Sequence, residues 1–400
     1  MIRFTKEQIR LLSVCVVMYT VLYFCRLNLS AALDAITREL GVSIAAGGML
    51  QTVFALVYAC GQIVNGSIAD RVNPFRYMML GLCGSALCNL AAGFAVGYPM
   101  LLMAWTANAV FQAMLWTPIM RIVAMHFSGL RERNAANAAL AYVLIVGHFF
   151  AWAISGFMVD HFSWRLSFLA PAGIALITAI ACARFLPELR QESFAKASRA
   201  EESGRSAPMS ALLTPSFLLV LGTCIVYGFI RDGVITWTPT ILAHIGREQA
   251  ISATAFTLVL PVINTVGVTL GVWQRSRGAN PRAVVATMMG AAMLCCTVLL
   301  GAKGMLITAL LLGCVCAAMY GANTMLTGII PLEFDAIGRT GTTAGLIDAF
   351  IYLGSALAGA LAGGVYEHAG MRMLCLIWLG GCILAGAMML ASGKRKDKRV

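Results

Sequence analysis

Charge is what this chain has least of. Only 12% of its 400 residues are Asp, Glu, Lys or Arg, while 60% are hydrophobic. A soluble domain carries about 25% charged residues, since it has a water-facing surface to cover. Mean hydropathy is +0.83. Also missing are a glycine-rich phosphate loop, a metal-ligand cluster and a nucleophile–base pair, so nothing points to an enzyme, a cofactor or a metal. Cysteine is plentiful at thirteen, yet no two are spaced CxxC and none clusters with histidine. That pattern favours small buried hydrophobes over disulfides or zinc.

What the chain has in quantity is apolar length. Segments of at least about 20 apolar residues recur from end to end, enough to cross a hydrocarbon core as helices. Twelve spans are expected: 11–33, 43–69, 75–95, 98–124, 135–158, 164–186, 214–243, 251–273, 282–302, 304–330, 340–365 and 371–392. The fold class is an all-α membrane protein with two six-helix, pseudo-symmetric halves. "MIRFTKEQIR" before the first apolar run could pass for a signal peptide, but the run is too long and many spans follow. It is read as a retained first helix. The longest polar stretch, Pro187 to Pro208, is charged and Ser/Ala-rich, as suits a connector without a core. The expected organisation is a first half over 1–186, a linker over 187–213 and a second half over 214–400 ending in a basic tail.

The formal charge of +12 could suggest nucleic acid, but its placement does not. Counting Lys and Arg in alternate loops gives 21 on the side of both termini and five on the other. Such a bias orients membrane proteins with the basic loops inside. Both termini are therefore expected in the cytoplasm, in a multi-pass protein of a bacterial inner membrane. The expected surroundings are lipid and a small anionic substrate, with no nucleic-acid partner and a monomeric chain.

Three basic residues fall inside spans: Arg26, Arg121 and Arg231. Arg121 lies near the cytoplasmic end of its span and can reach polar surroundings. The other two cannot easily do so. Arg26 and Arg231 differ by 205 positions, as do Gly66 and Gly271, and Asn73-Pro74 recurs as Asn280-Pro281 at an offset of 207. The second half is thus read as a copy of the first, with one buried arginine at the matching place in the first helix of each. A charge at the bilayer centre costs roughly 2.5–3.5 kcal/mol on insertion scales and usually faces the bundle interior. A structural ion pair could account for one such arginine. Two at equivalent places suggest an anion site, since each guanidinium fork donates two parallel hydrogen bonds to an oxyanion.

Aromatic and imidazole groups keep the arginines company. Tyr19 and Tyr23 precede Arg26 by seven and three residues and share its helical face. Tyr58, Trp116, His148, Tyr320 and Tyr352 sit mid-span on other helices and are candidate cavity residues, although packing alone could explain any one of them.

The segment "GSIADRVNPFRYM", with Gly66, Asp70, Arg71 and Arg76, is close to the GxxxDRxGR signature of the major facilitator superfamily. The glycine permits close helix approach, and the charges can hold one gate conformation. More specifically, "YFCRLN", "DRVNPFR", "LWTP", "IRDGVITWTPTIL" and "GTTAGLIDAFIYLGSALAG", in this order, resemble the organophosphate:phosphate antiporter family. The resemblance implies that Arg26 and Arg231 bind a phosphoryl group with His148 beside it. It likewise implies that Tyr19, Tyr23, Tyr58, Trp116, Tyr320 and Tyr352 line the cavity.

The chain departs from that family in charge. The lysine that follows the first arginine in the glycerol-3-phosphate carriers is Leu27 here, and a second lysine position is Gln62. An aspartate five residues after the second arginine is Thr236, and a glutamate in span eight has no counterpart near Pro261. Asp232 and Asp348 stand instead where no carboxylate is expected. Asp348 can close a structural pair, couple protons through a raised pKa, or recognise a cationic group on a zwitterionic substrate. The reading is a secondary transporter of a small organic anion, an organophosphate exchanged for phosphate by alternating access. Two alternatives stay open: a proton-coupled symporter of a sugar acid, sulfonate or zwitterionic phosphonate, and a transporter-like sensor of a phosphorylated metabolite.

Overall fold

A computed structural model describes residues 4–69, 72–127, 130–185, 210, 213–249, 259–337 and 340–394. Among these, all regular structure is helical. The first half holds α1 (Lys6–Leu40), α2 (Ile44–Ala69), α3 (Pro74–Gly93), α4 (Tyr98–Gln112), α5 (Trp116–His126), α6 (Leu130–His161) and α7 (Leu166–Phe185). The second holds α8 (Pro215–Gln249), α9 (Val259–Ser276), α10 (Pro281–Leu299), α11 (Met305–Asn323) and α12 (Thr340–Lys394). A π-helical turn, Thr324–Ile329, and a 3-10 segment, Ile330–Ile337, follow α11. Seven helical stretches among the described residues are long and apolar enough to cross a membrane, with a shorter apolar one at Thr343–Gly359.

Within the described residues each expected span falls on helix, with two differences; 251–258 of the eighth span and 186 of the sixth lie outside them. The fourth divides into α4 and α5 around Ala113–Leu115. Pro118, in the first turn of α5, has no N–H to offer the carbonyl four residues back, so the helix cannot run straight through. The last two spans join in α12, which bends at Gly370 (φ 75°), a left-handed conformation open to glycine. The recurring Asn-Pro pair acquires a cause: Asn73 and Asn280 cap α3 and α10, their side chains accepting from Arg76 N and Arg282 N, with proline next in line.

The chain packs as two compact units, Met1–Leu29 with Cys60–Arg205 and Ser30–Ala59 with Ser206–Val400. In the first, α3 packs on α4 and α7, and a network of buried amides surrounds α1. The Cys25 carbonyl accepts from Asn89 Nδ2 at 3.1 Å, Asn108 Nδ2 at 3.0 Å and Gln112 Nε2 at 3.3 Å. Gln112 also donates to Leu22 O at 3.1 Å. Asn28 Nδ2 donates to Asn89 Oδ1 at 2.7 Å and to Ser167 O at 3.1 Å, and Ser85 Oγ to Asn108 Oδ1 at 2.7 Å. Within hydrocarbon these groups have no water to turn to, so they bond to one another.

In the second unit, α8 and α12 meet backbone to backbone. A Cβ on Gly228 would collide with the Ile351 carbonyl, and one on Gly354 with that of Ile225. Small residues give membrane helices this closeness. The Ser30–Ala59 section joins the same pair: Gly48 lies against the Gly359 carbonyl, Thr52 Oγ1 donates to Ala356 O at 2.6 Å, and Ala45 N donates to Glu367 Oε2 at 3.0 Å. Asp34 there meets Arg38 at 3.0 Å and His244 of α8 at 3.2 Å. None of the thirteen cysteines forms a disulfide.

Candidate functional site

In the first unit the helical spacing of Tyr19, Tyr23 and Arg26 brings them onto one face of α1, and α5 and α6 supply partners. Trp116 stacks on Tyr19 with ring centroids 5.3 Å apart, and Tyr19 meets Tyr23 edge-on at 5.2 Å. Their hydroxyls are 3.5 Å apart. Tyr23 tilts over the His148 ring at 4.8 Å, and the Arg26 guanidinium lies 5.7 Å from the Tyr23 centroid. A cation over an aromatic face is held by the ring quadrupole, more strongly where water is excluded. Gly147 of α6 lies against Thr20 and Tyr23, next to His148 in the chain. Tyr19, Tyr23 and His148 are buried. The amide network described above grips α1 through the carbonyl just before Arg26. Gln62 accepts from Thr117 Oγ1 at 3.2 Å, while its buried Nε2 has no hydrogen-bond partner among the described residues.

In the second unit Arg231 lies 5.3 Å from the Tyr227 centroid and 5.8 Å from that of Tyr352. Tyr227 donates its hydroxyl to Asn323 Oδ1 at 3.0 Å. Tyr58 packs on Tyr352 at 4.3 Å and stacks on Phe54. Arg231 has an acidic partner in its neighbour: Nε and Nη2 donate to Asp232 Oδ1 and Oδ2 at 2.5 and 3.0 Å. Tyr320 is buried on α11, the helix that also carries Asn323. Asp348 lies on α12, half-buried, four residues before Tyr352.

Of the expected gate residues, Gly66 lies on α2 and Arg76 is exposed at the start of α3, whereas Asp70 and Arg71 lie outside the described residues. Sequence reasoning passed over Tyr227, Asn323 and the amides at 28, 89, 108 and 112. A signal for Tyr227 was present, since it stands four residues before Arg231 much as Tyr23 stands three before Arg26.

The described residues thus form an all-helical chain with several span-length apolar helices and, in each unit, a half-buried arginine flanked by tyrosine, which is the architecture of a membrane transporter. The Major Facilitator Superfamily pattern matches residues 15–359, and the chain belongs to that family. Several of its relatives fall in the organophosphate:phosphate antiporter-like group, while the multidrug efflux pump LfrA of Mycolicibacterium smegmatis is 27% identical over 253 residues, or 63% of this chain and 44% of that one. It is 25% identical over 422 aligned positions to the glycerol-3-phosphate transporter of Bacillus subtilis, covering 95% of this chain and 91% of that one. It is 22% identical to the membrane sensor protein UhpC of Escherichia coli, covering 85% and 82%. A probable hexose phosphate transport protein of Chlamydia trachomatis is 24% identical over 159 residues, or 40% of this chain; the match spans only 35% of that protein's length. A bacterial homolog of the human lysosomal transporter Spinster, solved in an inward-facing and occupied conformation, superposes with a TM-score of 0.75 at 15% identity, covering 98% of each chain. That likeness bears on the fold.

Proposed function

We propose that the chain is a secondary carrier of a small organophosphate, exchanged for inorganic phosphate by alternating access, whose phosphoryl group is bound by Arg26 and Arg231. The observation that carries this reading is the paired setting of the arginines. Each is placed in an apolar bundle over buried tyrosine, Arg26 over Tyr23 and Arg231 over Tyr227 and Tyr352. The aromatic face holds the guanidinium plane in place, and Arg231, which gives Nε and one Nη2 donor to Asp232, brings its remaining N–H donors to the oxyanion. That both serve one anion is inferred from their equivalent places in the repeat. His148, Tyr19, Trp116, Gln62, Tyr58 and Tyr320 complete the proposed lining. The halves 1–186 and 214–400 are the proposed rocking bodies, with both termini in the cytoplasm.

The similarity to a glycerol-3-phosphate transporter along nearly the whole chain supports the substrate class, and that to UhpC supports a second reading as a sensor. Counterflow in proteoliposomes separates them. Preloaded phosphate should drive uptake of labelled glycerol 3-phosphate or hexose 6-phosphate; binding without counterflow would leave the sensor. Binding of sulfonates or sugar acids but of no phosphate ester would remove the phosphoryl claim.

A further inference from the structure

The guanidinium of Arg231 is a planar fork with an edge and a face, and both must be fixed if it is to meet an oxyanion squarely. Asp232 takes part of the edge, accepting from Nε and Nη2. Tyr227, one helical turn back on α8, stands at the face, its ring centroid 5.3 Å from the guanidinium carbon. The ring can hold that plane if its own tip is held. Tyr227 is 0% exposed, and a phenol proton buried in hydrocarbon has no water to turn to. Asn323 of α11 supplies the acceptor: the hydroxyl donates to its Oδ1 at 3.0 Å. Sharing the proton leaves the phenol oxygen and its ring more negative, which strengthens the ring's hold on a cation.

This bond joins two helix pairs that are each closed backbone to backbone. On one side Gly228, next to Tyr227, lies against the Ile351 carbonyl of α12. On the other, a Cβ on Gly267 of α9 would collide with the Ala317 carbonyl of α11, one on Gly271 with the Gly321 carbonyl, and one on Gly321 with the Gly267 carbonyl. Such contacts leave little play in either pair, and Gly321 is only two residues from Asn323. Asn323 is the last residue of α11, and the π-helical turn Thr324–Ile329 begins at the next one. Pro331 follows that turn and has no N–H with which to continue an α-helical ladder. Single π-helical turns within helices recur at functional sites. Asn323 thus stands where an anchored helix ends and irregular backbone begins.

We infer that Asn323 is a positioning residue for anion binding: through the Tyr227 hydroxyl it fixes the plane of the Arg231 guanidinium. In this role it acts on Tyr227 rather than on the anion. The inference rests on the phosphoryl reading of Arg231.

The test is calorimetric titration of the purified full chain with glycerol 3-phosphate and with inorganic phosphate. Tyr227→Phe removes the hydroxyl and keeps the ring; Asn323→Leu removes the acceptor. Each should weaken binding about three- to tenfold, the effect of one hydrogen bond. The double variant should bind no more weakly than the weaker single, because both changes remove the same bond. Repeating the changes in Arg231→Lys separates positioning from a merely structural role. An ammonium has no plane to orient, so each change should there cost less than about twofold. Binding by Tyr227→Phe equal to that of the unaltered protein overturns the inference. So does a double variant whose loss is the product of the two single losses, or an undiminished loss in the lysine background. Should Asn323→Leu yield no folded protein, the isosteric Tyr227→Phe decides by itself. If the unaltered protein binds neither compound, the phosphoryl reading fails and the inference with it.

Discussion

The side-chain amide of Asn89 donates to the backbone carbonyl of Cys25, one residue before Arg26, at 3.1 Å. Asn108 and Gln112 reach the same oxygen from α4, so the arginine's helix is held from two sides. Replacing Asn108 by Leu removes a donor to Cys25 O and an acceptor for Ser85 Oγ. The Cys25 carbonyl keeps Asn89 and Gln112, but the buried Ser85 hydroxyl loses its acceptor, at a cost of about 1–3 kcal/mol. A melting temperature in detergent equal to that of the unaltered protein would show that the network contributes nothing.

Arg26→Lys and Arg231→Lys keep the charge and lose the planar fork. Each should lower binding or uptake of the anion by roughly 10- to 100-fold, the worth of a hydrogen bond to a charged group. Radiolabelled uptake at fixed protein level measures it. Near-normal uptake in either variant would place that arginine outside the site.

Gly228 has no room for a methyl group, because the Ile351 carbonyl of α12 lies where it would go. Gly228→Val should force α8 and α12 apart and give little folded, monodisperse protein in size-exclusion chromatography. Gly364, which has open space around its Cα, serves as the control: Gly364→Ala should express normally.

The contact of Asp34 with His244 and Arg38 is of another kind. The Asp34 side chain is 10% exposed, but its His244 and Arg38 partners are 34% and 61% exposed, and water at the two partners screens such pairs to about 0.2–1 kcal/mol. Asp34→Asn should therefore leave the melting temperature nearly unchanged. A large drop would mean that this pair, rather than the contact of Gly48 with Gly359 of α12, fastens Ser30–Ala59 to its unit.

The two arginines around which the candidate groupings form were legible because charge is conspicuous in an apolar run. Arg26 and Arg231 stand out, and helical spacing alone groups Tyr19 and Tyr23 with Arg26. Cross-helix partnerships were not legible. Asn89 meeting Cys25 O depends on how α3 packs on α1, which no spacing along one helix encodes. The bond between Arg231 and Asp232 runs against expectation, since adjacent helical residues point apart; the length of arginine lets its guanidinium turn back to the carboxylate. The division of the fourth span had its cause in plain view at Pro118. The grouping of Ser30–Ala59 with the second half's helices did not, because chain continuity argues the opposite.

That grouping turns on two residues without side chains. Where Gly48 meets the Gly359 carbonyl, nothing flexible stands between the backbones, so this contact cannot yield gradually as a salt bridge can by stretching through water. The side chain at position 48 then acts as a spacer. Glycine permits contact, whereas the Cβ already present in alanine would fall on the Gly359 carbonyl and part the backbones, with serine and valine adding bulk beyond it. Such a series would work as a dial on the equilibrium between the packed arrangement and any other, without touching a charged group.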